Sequence, residues 1–162
     1  MKLLRIYLND HLATLTAGIE LTKRSGSNNR GTSLGTFLDE LESELDTDRD
    51  LLLEVMSSLD VSPDPVKRTA GWLAEKAGRL KFNGRLVGYS DLSRLIELEG
   101  LEAIVTGNAA LWRSLGDIAN ARDELTRFDF EEMAKTSERQ RMSLEAFRSK
   151  AATVALAESH ND

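Results

Sequence analysis

The sequence predicts an all-α protein: two long helical hairpins joined by a connection that contains a short helix of its own. Three observations carry this. Both prolines of the 162-residue chain sit in one tetrapeptide, Ser62-Pro63-Asp64-Pro65. Elsewhere Leu, Ala, Glu and Arg dominate, and these residues lose little rotamer freedom in a helix. Finally, apolar residues recur at steps of three and four, and no alternating run suited to a strand persists.

The first helix is expected over about residues 2–25. Gly26 supplies a C-terminal stop, and Ser27-Asn28-Asn29-Arg30-Gly31 reads as a turn. Thr32 or Ser33 caps a second helix over about 33–59, because either hydroxyl accepts from a free first-turn N–H. The prolines break that helix, since neither has an N–H to donate. Asp64 followed by Pro65 suits a first turn and starts a shorter helix over about 64–80. Asn83-Gly84 and Gly88 mark a loop, and Ser90 caps a helix over about 90–119. Residues 120–128 form a connector with room for one helical turn. Asp129, with Glu132 three residues on, has capping-box spacing and opens the last helix, about 129–157. His160-Asn161-Asp162 reads as a frayed tail. Residues 1–162 are expected to form one domain, a size that buries roughly 70% of the unfolded surface.

Composition excludes several classes of function. With 0 Cys there is no thiol nucleophile, thiolate metal site or disulfide. Met1-Lys2-Leu3-Leu4 leads into Asn9-Asp10-His11 without a long apolar stretch, so no signal peptide is expected there. No stretch approaches the roughly 18 apolar residues of a membrane span. The expectation is a cytoplasmic protein without a membrane partner. Net charge is −6. Nucleic-acid binding depends on neutralising phosphates, so a nucleic-acid partner is disfavoured. The charge is uneven: residues 1–60 carry 6 basic and 11 acidic side chains, and residues 61–90 carry 6 basic and 2 acidic. Helix faces of opposite sign that pair or are solvated account for this, and a local anion-binding patch is the sharper alternative.

The apolar stripes show where polar groups are placed inward. The second helix offers Leu34, Leu38, Leu41, Leu45, Asp48, Leu52, Val55 and Leu59, one face of a helix with Asp48 in an apolar slot. The first offers Leu4, Leu8, His11, Leu15, Gly18 and Thr22. The helix over 90–119 gives Leu101, Ile104, Asn108, Leu111, Leu115 and Ile118, and the last gives Phe130, Met133, Ser137, Gln140, Leu144, Phe147, Ala151 and Val154. If the first hairpin turns near residue 29 or 30, His11 comes level with Asp48. If the second turns near 124, Asn108 comes level with Gln140. These four residues are the candidate buried polar level, with Asp48 accepting a hydrogen bond from His11. A polar layer fixing helix register, a shallow solvated face, and a small-ligand or single-metal site are the alternatives.

A second candidate is the loop over 79–90, with its helix N-terminus. Lys81, Arg85, Tyr89 and Ser90, with Arg94 one turn on, combine cations and aromatics beside free N–H groups that favour an anion. A crossover pinned onto the bundle by Phe82 and Tyr89, or a protein-partner surface, are the competing readings. Nucleophilic catalysis lacks support, because Gly-x-Ser-x-Gly is absent and no Ser is clearly paired with the helical His. The acidic series from Asp39 to Asp50 lies within an uninterrupted helical pattern. Carboxylates there radiate outward, whereas a calcium loop turns about a central Gly.

One long crossover between two hairpins is the ferritin-like arrangement of a four-helix bundle. Three stretches carry a closer resemblance: Tyr7-Leu8-Asn9-Asp10-His11-Leu12 with Gly18-Ile19-Glu20-Leu21; Trp72-Leu73-Ala74-Glu75-Lys76; and Leu80-Lys81-Phe82-Asn83-Gly84-Arg85-Leu86. They resemble an uncharacterised bacterial helical-bundle family, and the resemblance implies a ferritin-like fold and a bacterial source but no activity. The di-iron chemistry of ferritin-like proteins uses Glu-x-x-His on two of the helices. Here Glu20 leads to Lys23, Glu44 to Thr47, Glu99 to Glu102 and Glu145 to Arg148, and no Glu-x-x-His occurs anywhere. The sequence therefore predicts no di-iron site, no cofactor and no resident metal. The leading expectation is a non-catalytic bundle acting through protein contacts, with a homodimer or another protein as partner. The alternative is a small-ligand or single-metal protein using the His11/Asp48 level.

Overall fold

The computed structural model describes residues 2–64 and 89–157. All four long elements are helices: α1 (Lys2–Asn28), α2 (Ser33–Ser58), α3 (Asp91–Ala119) and α4 (Phe130–Ala157), with a single 3₁₀ turn at Asp123–Leu125 between α3 and α4. No strand occurs among the described residues. The expected short helix over 64–80 lies outside them, apart from Asp64, and so do Trp72, Phe82 and His160.

Three of the helix starts follow from their caps. Thr32 Oγ1 accepts from Gly35 N at 3.1 Å and opens α2. Ser90 Oγ accepts from Ser93 N at 3.1 Å and opens α3. Asp129 Oδ1 accepts from Glu132 N at 3.0 Å and opens α4. Each satisfies one of the orphan donors of a first turn. The expected stop at Gly26 is not used. Gly26 is buried within α1, where an added Cβ would lie 3.1 Å from Asp39 Oδ1 and 3.6 Å from Leu38 of α2, so its small size serves close helix approach. The backbone reverses instead at Gly31, whose φ of +82° is open to glycine at no steric cost.

Cross-helix contacts fix the directions. Arg24 meets Glu97 and Gly18 meets Ile104, so α1 and α3 are antiparallel. Phe37 stacks on Phe147 and Glu44 meets Gln140, so α2 and α4 are antiparallel. Arg113 with Glu138 and Glu102 with Arg148 set α3 against α4 in the same sense. The order is up-down-down-up, with α2 and α3 parallel across the centre. The chain that joins them leaves at Asp64, bound to Arg5 and Asn9 at one end of α1, and returns at Tyr89, bound to Asn29 at the other.

The core is a leucine interior. Leu8, Leu38, Leu45, Leu52, Leu98, Leu101, Leu111, Leu115 and Leu144 are fully buried, as is Trp112. Every member of the α2 stripe from Leu34 to Leu59 is buried, Asp48 included.

Candidate functional site

The buried polar level forms midway down the bundle, with a membership that differs from the expectation. Asp48 from α2, Asn108 from α3 and Gln140 from α4 are each 4% exposed, and Ser137 from α4 is fully buried. Asn108 Nδ2 donates to Asp48 Oδ2 at 2.8 Å and to Ser137 Oγ at 3.2 Å. Gln140 Nε2 donates to Glu44 Oε2 at 3.0 Å, and the same side chain hydrogen-bonds Asp48. Gln140 Oε1 is buried without a partner. Ser137 lies on the α4 stripe one turn before Gln140 but is small enough to pass as a packing residue in the sequence.

His11 does not join this level, and the donors to Asp48 are the Asn108 and Gln140 amides. The His11 ring lies edge-on to Tyr7, with centroids 4.5 Å apart. The first hairpin pivots near Thr32, as the Gly26–Asp39 approach shows, and counting back from that pair puts Asp48 opposite Ala17. An offset of a few residues in the turn therefore moves His11 toward the far end of α2.

Electrostatics distinguish the two ionisable candidates. Burial pushes the Asp48 carboxyl up to about 6, and Glu44 adds repulsion in the same direction, while hydrogen bonds from Gln140 and Asn108 only partly offset them. Burial lowers the His11 imidazole, against a smaller upward pull from Asp10.

The second candidate resolves into a hydrogen-bonded cluster at the end of the bundle. Tyr89 OH donates to Glu97 Oε2 at 3.0 Å, and Arg24 Nε donates to Glu97 Oε1 at 3.1 Å. Asn29 Nδ2 donates to Tyr89 OH at 2.9 Å and to the Ser25 carbonyl at 2.8 Å, and its Oδ1 accepts from Arg94 Nε at 2.8 Å. Arg94 also pairs with Asp91 and lies over the Tyr89 ring. Ser90 oxygen occupies the α3 N-terminus as its cap. The charge and the helix end proposed for an anion are thus engaged by protein groups, and Lys81 and Arg85 lie outside the described residues. Burial raises the Tyr89 hydroxyl's pKa above its usual value. Neither Asn29 nor Glu97 was singled out from the sequence. Glu97 had a legible signal, because it extends the α3 stripe of Leu101, Ile104 and Asn108 by one further step of four.

An open cleft of about 540 Å³ lies between α3 and α4 over Trp112, Gly116, Phe130 and Ala134. Its rim cations are paired: Arg113 with Glu138, Lys135 with Glu131 and Arg139 with Glu132. Among the described residues no three His, Cys, Asp or Glu side chains cluster as metal ligands, and no helix is long and apolar enough to cross a membrane. Comparison with family models, curated proteins and solved structures finds no match for this chain.

Proposed function

We propose that this chain is a non-catalytic, ferritin-like helical bundle that acts through protein–protein contact, with a second copy of itself as the first partner to test. One observation carries the reading. On the outer face of α4, Met142, Ala146, Ser149, Thr153 and Leu156 recur at helical spacing, all exposed and none charged. In a chain whose residues are 30% charged, a solvated helix face would ordinarily carry charge along its length. Met142 and Leu156 are 65% and 61% exposed. The up-down-down-up order supports the ferritin-like part, since one full-length crossover is the mark of that arrangement.

The test is the solution mass. Light scattering should give twice the chain mass of 18.0 kDa, and Met142→Arg should return it to one chain. A wild-type monomer at the highest concentration measured overturns the dimer. Elemental analysis bears on the other half: a molar equivalent of iron or manganese would overturn the non-catalytic reading. A second reading, a small polar ligand at the mid-bundle level, is favoured by the unpartnered Gln140 Oε1. Its ligand set is Asp48, Asn108, Ser137 and Gln140, without His11.

A further inference from the structure

The two hairpins are joined unevenly. Within each hairpin the helices touch along their length, and α1 meets α3 repeatedly, but α2 approaches α4 closely at few points. Besides the shared leucine core and the Arg127–Ser58 hydrogen bond at one end, α2 is tied to the opposite hairpin by the Phe37–Phe147 stack, the Glu44–Gln140 hydrogen bond and the buried contact of Asp48 with Asn108 and Gln140. The most buried of these therefore hangs on an ionisable group. Among the described residues no cation acts on it. On its own helix the neighbouring charge is Glu44, α3 and α4 present the neutral Asn108, Ser137 and Gln140, and no charged group of α1 acts on it. The level also has one acceptor too many, because Gln140 Oε1 is buried with no donor.

We propose that Asp48 is a proton-controlled fastener between the hairpins: protonated, it holds α2 against α3 and α4, and ionised, it lets the α2–α4 seam open. The protonated carboxyl is the neutral form that a dry interior favours, and its O–H is the donor that the level lacks. The ionised form places an uncompensated charge between two amides and a second carboxylate, and opening the seam returns that charge to water. The direction follows from linkage. Asp48 titrates near 6 when closed and near 3.8 when solvated, so closure is strongest below 3.8 and weakens as pH rises to about 6. The open-to-closed ratio rises across that window by at most about a hundredfold.

Because the chain has 0 Cys, Ser43→Cys on α2 and Ser143→Cys on α4, both exposed positions, place a pair of spin labels across the seam without background. Distances measured from pH 4 to pH 8 should show a longer component that grows with pH. Asp48→Asn in the same background should show one distribution throughout. Glu44→Gln keeps an acceptor for Gln140 but removes the repulsion and so lowers the closed-state pKa; the response should still begin near 3.8 but level off at lower pH with a smaller amplitude. Distances that ignore pH, or a response whose amplitude and upper limit Glu44→Gln leaves unchanged, overturn the proposal even if Asp48→Asn does not fold. A pH response retained in Asp48→Asn overturns it too and assigns the effect to another group, His11 first.

Discussion

The bundle holds two buried polar clusters built in opposite ways. At the end where the connection returns, Glu97 is flanked by the Arg24 guanidinium and the Tyr89 hydroxyl, and Asn29 uses both ends of its amide. Halfway down, Asp48 meets neutral amides and a second carboxylate. The chemistry of the central group is the same, a carboxylate on an inward-facing stripe, but its consequences differ. A buried carboxylate with an opposite charge and a donor fastens its neighbours together. One with amides alone raises the free energy of the closed state whenever it is ionised. Position on the stripe shows that a polar group is inward, and the matching of donors to acceptors decides whether it stabilises.

Three substitutions break or sharpen this contrast, in descending order of expected effect. Asn108→Leu removes a donor from Asp48 and should destabilise by about 3 kcal/mol at pH 8, the upper end for a hydrogen bond to a charged group. At pH 4 the carboxyl is protonated in the fold, and the loss should shrink to about 1 kcal/mol, that of one neutral hydrogen bond. Urea denaturation at the two pH values checks this, and equal losses would mean that Asp48 carries no charge cost. Glu97→Ala takes the acceptor from the Tyr89 O–H and from Arg24 Nε and should destabilise by about 2 kcal/mol by the same measurement. An increase in stability would erase the distinction between the clusters. Tyr89→Phe should cost about 1 kcal/mol, and its effect should shrink in the Glu97→Ala background, where only the Asn29 hydrogen bond to the hydroxyl remains to be lost.

The helical class, the four long spans and the caps at Thr32, Ser90 and Asp129 were legible in the sequence, because periodicity and capping are set by residues within one or two turns of each other. The inward placement of Asp48, Asn108 and Gln140 was legible for the same reason. The chain alone did not reveal which inward residues meet. Hairpin register depends on how the turn from Asn29 to Thr32 closes, and a shift of a few residues there is invisible to periodicity yet moves every partner across the core. Packing made that choice: Gly26 against Leu38 and Asp39, and Gly18 against Ile104, let the helices approach at one register, and that register gave Asp48 to Asn108 and left His11 beside Tyr7.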